Sequence, residues 1–254
     1  MFQYEVPARF GLLDDSKARW SNLILKLREL NTTDDTSYKL IFFGRHGQGY
    51  HNVGEEKYGS KAWDDYWAML NGDGEITWGP DPELTALGND QAAAAHALWT
   101  EECAAGIHLP ERLYCSPMTR AMQTNAITFA GLLSSRTVVL ENCREEYGQH
   151  TCDRRRTRTY IRTAFPQFDI EDGLEEEDTL WTAETRETGL QVAARARTVL
   201  DRIFAEDKDA SVVSIVAHGG IINGFLHSIG RPRYALPTGG ILPVVIKATR
   251  LVLN

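Results

Sequence analysis

The chain has 254 residues, of which 43% are hydrophobic and 24% charged, with a formal net charge of −8. That length and balance suit one large α/β domain or two small ones with a sizeable buried core, and the acidic surplus argues against nucleic acid as a partner. No stretch is apolar enough to make a membrane a partner, the N-terminus lacks the layout of a signal peptide, and the four cysteines form no CxxC pair, so they read as reduced thiols. The expected location is the cytoplasm, with the nucleus also open.

Residues 1–38 read as an arm with one amphipathic helix, 17–30, ending in the polar loop 31–35. The expected organisation is a single domain over 1–254, with the arm 1–37 packed on its core. Residues 39–43 form an apolar strand that runs into Gly44-Arg45-His46-Gly47. A short aromatic-rich helix, 62–70, is stopped by Asn71-Gly72-Asp73-Gly74. Thr85 is placed to cap a long helix that passes through the alanines at 92–95 and ends at Gly106. A second strand covers 112–115, and Pro117 suits the first turn of a helix running to about residue 130. A third strand covers 137–140. Residues 186–206 have helical periodicity, with Val192, Ala196, Val199 and Ile203 on one face. Strands at 212–217 and 242–248, with Pro243 near the start of the second, complete the pattern. Strands alternate with helices, which predicts a three-layer α/β/α sandwich around a mostly parallel sheet, with helical and loop insertions capping a cleft.

Two strands share one design. The first ends in Arg45-His46-Gly47 and the fourth in Ala217-His218-Gly219-Gly220. In open α/β sheets ligands bind beyond the carboxyl ends of the strands, so neighbouring strands would bring His46 and His218 to one crevice. A third strand end, Ser116-Pro117-Met118-Thr119-Arg120, places Arg120 in the first turn of the next helix. Taken alone, each histidine is a turn residue and Arg120 a surface cation. Together, two arginines, two histidines and a helix N-terminus suit a phosphate or carboxylate.

Arg45-His46-Gly47 with His51-Asn52, then Ser116-Pro117-x-x-Arg120-Ala121-x-Gln123-Thr124, then His218-Gly219-Gly220 resembles the histidine phosphatase superfamily, also called phosphoglycerate-mutase-like. The resemblance extends over about 40–248. It is strongest to a fungal phosphomutase-like branch, through GRHGQGYHN, the HTCDRR beginning at His150 and the LPTGG beginning at Leu236. It implies that His46 is a nucleophile that becomes a phosphohistidine. It further implies that Arg45, Arg120 and His218 complete the phosphate pocket, and that Asn52 and Gly219 contact the substrate. The implied reaction is hydrolysis of a small phosphate or diphosphate ester in two steps, without metal or other cofactor. A phosphomutase or phosphotransferase using the same intermediate is the alternative, and a non-catalytic phosphate-binding protein a further one. Cofactor-dependent mutases of the superfamily close a C-terminal tail over the phosphoenzyme; the last strand here stops close to Asn254, which favours hydrolysis.

The resemblance places the proton donor in the loop Cys143-Arg144-Glu145-Glu146, where Glu145 is the better match and Glu146 the competitor. The run Arg154, Arg155, Arg156, Arg158 and Arg162 has two readings. It is a solvated face balanced by the acidic residues 175–178, with Arg154, Arg158 and Arg162 aligned on a helix. Or it is a patch for a second anionic group, with Arg155 the best candidate from the match at CDRR. His51, His150 and His227 with His218 do not read as a metal site, because no carboxylates are interleaved at ligand spacing and two arginines in the pocket would repel a cation.

Overall fold

The computed structural model describes residues 6–32 and 35–249. Its centre is a six-stranded sheet in the order β4-β3-β2-β5-β1-β6. The strands are β1 (Thr36–Arg45), β2 (Arg112–Cys115), β3 (Val138–Val139), β4 (Asp169–Ile170), β5 (Val212–Ala217) and β6 (Ile241–Thr249). All pairs are parallel except β1 with β6, which closes one edge antiparallel. The helices are α1 (Arg19–Leu30), α2 (Tyr50–Tyr58), α3 (Ser60–Asp65), α4 (Ala86–Ala104), α5 (Thr119–Thr128), α6 (Arg158–Ala164), α7 (Gly189–Glu206) and α8 (Gly219–Ser228).

The period of two along β1 divides the core. Leu40 and Phe42 face one layer, where they join Trp20 and Leu27 of α1, Trp99 of α4 and Met122 of α5. Ile41 and Phe43 face the other, joining Val192, Ala196, Val199 and Ile203 of α7 and Phe225 of α8. The expected three-layer sandwich is thus formed, and α1 of the arm packs into its core. Caps appear where the sequence offers them: the Thr85 hydroxyl accepts from the Gly88 N–H at α4, and Thr188 with Gln191 forms a capping box at α7.

A third apolar cluster, Trp63, Ala68, Trp78 and Cys152, holds the insertion between α2 and α4 over the sheet's carboxyl edge. The expected helix over 62–70 is instead α3 followed by a one-turn 3₁₀ helix, Trp67–Met69. Trp78 Nε1 donates to the Leu70 carbonyl at 2.7 Å, and the Thr151 hydroxyl donates to the same oxygen at 2.6 Å. The insertion is therefore tied to the turn Thr151–Asp153. Pro117 lies outside α5, whose N-cap is Met118; the Asp81 carboxylate accepts the Thr119 N–H and hydroxyl there. Arg120 nonetheless falls in the first turn. None of the helices among the described residues is long and apolar enough to cross a membrane.

Candidate active site

β1 and β5 are hydrogen-bonded neighbours in register, with Arg45 opposite Ala217. The ladder continues one step further, because the His46 N–H donates to the Ala217 carbonyl at 3.0 Å. His46 and His218 therefore leave adjacent strand ends side by side, with ring centroids 4.9 Å apart. The His51 ring stands 5.3 Å from His46 on the other side. Gly47 is required here: a Cβ would collide with the Gly88 backbone at the start of α4.

His46 Nδ1 lies 2.7 Å from the Gly47 carbonyl. A carbonyl only accepts, so Nδ1 carries the hydrogen and Nε2 keeps its lone pair. Burial first, then the charges of Arg120 and Arg45, pushes the His46 pKa well below its ordinary value. The same order of causes, burial and then Arg120, holds His51 and His218 well below theirs. The positive charge of the site thus comes from arginine, and His46 is a neutral imidazole. The Ser116 hydroxyl accepts from the Met118 N–H at 3.2 Å and lies 2.7 Å from His218 Nε2. Ser116 and His218 Nε2 thus share one hydrogen bond, and His218 Nδ1 is left buried without a partner among the described residues.

Each arginine is braced before any ligand arrives. Arg45 Nη1 donates to the Leu236 carbonyl at 2.7 Å. Arg120 is fully buried; Nη1 donates to the Cys152 carbonyl at 2.8 Å and Nη2 to Asp153 Oδ1 at 2.9 Å. Arg186 donates to the Gly148 carbonyl and to the second oxygen of Asp153. Asp153 thereby fixes two guanidiniums at once. Arg45 Nε, Arg120 Nε and His218 Nδ1 are buried with no hydrogen-bond partner among the described residues. Buried donors are normally paired, so two unpaired arginine N–H groups at one site suit an anion.

Beside them lies a cleft of about 200 Å³ lined by Arg45, His46, Arg120, Glu145 and Glu146, among others. Asn52 lines it too, and its Oδ1 accepts the Gly49 N–H at 3.0 Å. Gly219 opens α8 against Arg45, so a Cβ there would stand 3.6 Å from the guanidinium carbon. Glu145 crosses to α8, where its carboxylate accepts the Gly220 N–H at 3.1 Å and the Ile221 N–H at 3.2 Å. A Cβ on Gly220 would collide with that carboxylate. Arg195 holds the backbone below, donating to the carbonyls of Asn142, Arg144 and Glu145. Glu146 is half-buried, and burial, followed by the charge of Glu145, raises its pKa.

Arg155 does not reach the cleft, which corrects the expectation of a substrate contact. It is buried, its Nε donates to Glu141 at 2.9 Å, and its Nη atoms donate to carbonyls of Arg156, Glu175, Glu176 and Glu177. All its capacity is spent folding the loop 175–178 against the Glu145 loop. Nor do Arg154, Arg158 and Arg162 share a helix face, because α6 begins only at Arg158. The cleft residues missed in the sequence include Glu55, Asp64 and Asp153 and two arginines. Arg186 lies just before α7 instead of within it, and Arg233 comes from the loop after α8. His150, Cys152 and Asp153 place ligand atoms within 4.8 Å of one another. Asp153 is already ion-paired to Arg120 and Arg186, and burial pushes the Cys152 thiol well up. That donor set does not fit a cation.

The pattern of the Histidine phosphatase superfamily (branch 1) matches residues 41–237. The chain belongs to the histidine phosphatase superfamily. Among curated relatives, it is 40% identical over 257 residues to the Probable phosphoglycerate mutase of Arthroderma benhamiae, covering 94% of this chain and 76% of that one. It is 33% identical over 244 residues to Phosphomutase-like protein 3 of Candida albicans, covering 96% and 74%. Among solved structures, this histidine phosphatase family member is similar to the alpha-ribazole phosphatase of Shigella flexneri, with a TM-score of 0.53, 17% identity and coverage of 84% and 95%. A mycobacterial glucosyl-3-phosphoglycerate phosphatase gives a TM-score of 0.50 at 21% identity, covering 82% and 97%. Both likenesses are of fold.

Proposed function

We propose that the protein is a metal-independent phosphatase that hydrolyses a small phosphate ester through a phosphohistidine at His46. The observation that carries this reading is the neutral His46 ring, fixed through Nδ1 and bordered by unpaired donors of Arg45 and Arg120 and an unpaired nitrogen of His218. In the first step Nε2 of His46 attacks phosphorus and the ester P–O bond breaks. The arginine donors take up charge on the phosphoryl oxygens, and the leaving oxygen receives a proton from the Glu145–Glu146 pair. In the second step water gives a proton back to that pair, its oxygen attacks phosphorus, and phosphate leaves as the P–N bond breaks. Two adjacent carboxyls of which one resists ionisation suit a group that must hold and return a proton. Glu145 is the residue that the resemblance implies for this role, with Glu146 its competitor.

The reading is tested by following phosphate release from an aryl phosphate in EDTA and by trapping a base-stable, acid-labile phosphoryl group on His46. Release that needs a divalent metal, or turnover with the label elsewhere, would overturn it. An isomerised ester in place of free phosphate would indicate mutase chemistry on the same intermediate. Glu145→Gln is expected to slow an alkyl phosphate by about 100-fold or more, within the usual range for general acid catalysis. The same change should slow p-nitrophenyl phosphate far less, because that leaving group departs without a proton. Equal slowing of both would move the proton donor elsewhere, with Glu146→Gln the next variant to measure.

A further inference from the structure

We propose that Arg233 forms a second anion-binding point at the mouth of the cleft, selecting phosphate esters that also carry a carboxylate or a second phosphate. The proposal rests on the reading of the His46 pocket as the phosphate site.

Four arginines line this cleft, and three of them give part of their donors to internal partners: Arg45 to the Leu236 carbonyl, Arg120 to Asp153 and the Cys152 carbonyl, and Arg186 to Asp153 and the Gly148 carbonyl. Arg233 is exposed, and no hydrogen bond or ion pair engages its guanidinium among the described residues. A cation left unpaired in an acidic chain, on the wall of a small polar cleft, is available to a ligand.

The backbone beneath it is held. The Arg231 N–H donates to the Leu226 carbonyl at 2.8 Å, the Tyr234 N–H to Asn223 Oδ1 on α8 at 2.8 Å, and Leu236 receives Arg45. Pro232 further restricts the segment. Arg45, which borders the reacting phosphate, thus clamps the same loop that presents Arg233. A ligand with two anionic ends would meet one braced guanidinium within the cleft and one exposed, unpaired guanidinium on its wall. A cleft of about 200 Å³ admits a compact ester between them.

The test uses calorimetric titration with two phosphonates that resist hydrolysis and differ at one end: 3-phosphonopropionate, which has a carboxylate, and propylphosphonate, which has a methyl group. The parent chain is expected to bind the carboxylate compound about 5- to 10-fold tighter, the scale of one charge-assisted hydrogen bond at a partly solvated site. Arg233→Ala should remove that preference. Arg231→Ala, which makes the same change in net charge at an exposed residue two positions away, should retain it. A parent without preference, a preference that survives Arg233→Ala, or an equal loss in Arg231→Ala would overturn the proposal. Binding of neither phosphonate would overturn the phosphate-site reading as well, so the two failures are distinct.

Discussion

Replacing His46 with alanine is expected to lower kcat/KM for an aryl phosphate by about 10,000-fold or more, the scale seen when a covalent nucleophile is lost. The expectation follows from how little else the site offers as a nucleophile. His51 and His218 are buried and neutral as well, but His218 has its Nε2 committed to Ser116. Of the three rings, His46 is the one that lines the cleft with its Nδ1 hydrogen given to a carbonyl. Arg45 and Arg120 do not depend on His46 for their bracing, so the variant should still bind inorganic phosphate. The measurement pairs phosphate release with phosphate titration, on protein whose fold is verified by circular dichroism. A variant that keeps activity within tenfold of the parent would show that the phosphoryl group never rests on His46.

Stability should fall steeply as pH drops below about 6.5, by up to about 4 kcal/mol between pH 7.5 and 5.5. His46, His51 and His218 are all held neutral, with pKa values pushed well below the ordinary one, first by burial and then by Arg120. In the unfolded chain they titrate near 6.5. Below that pH the unfolded state binds protons that the folded state refuses, so each histidine costs about 1.4 kcal/mol per pH unit until its folded pKa is reached. Their contribution is fully present above pH 6.5 and is lost on acidification. Glu146 acts in the opposite sense: its raised pKa lets the folded state take up a proton first, which offsets part of the loss. Urea unfolding at the two pH values measures the sum, and His218→Gln should flatten the slope by about one third. A denaturation midpoint unchanged from pH 7.5 to 5.5 would show that these rings are protonated in the folded protein.

The legible parts of the fold were those with a periodic signal. β2 and β5 lie where their apolar runs place them, and the face of α7 is read directly from Val192, Ala196, Val199 and Ile203. Two-residue strands have no period to detect, which is why β4 was missed and β3 drawn too long. α2 escaped because it starts after Gly49 and contains Gly54, both poor helix signals. Within the site, the strand-end histidines and Arg45 could be placed because the sheet itself carries them. Arg186 and Arg233 could not, because loops deliver them from distant positions. Arg155 misled for the converse reason. A charge run shows where cations are, but not the backbone carbonyls that a later turn folds onto them.

The separation of the His46 and His218 rings, 4.9 Å, is close to the spacing of neighbouring strands in any sheet, about 4.8 Å. The two imidazoles are thus carried by the hydrogen-bond ladder of β1 and β5, whose facing residues are buried in the core. The surrounding wall is assembled from the α2–α4 insertion, the Glu145 loop and the loop after α8, none of which takes part in that ladder. On the proposed phosphatase reading, such a division permits substrate preference to drift by loop exchange while the two imidazoles stay put.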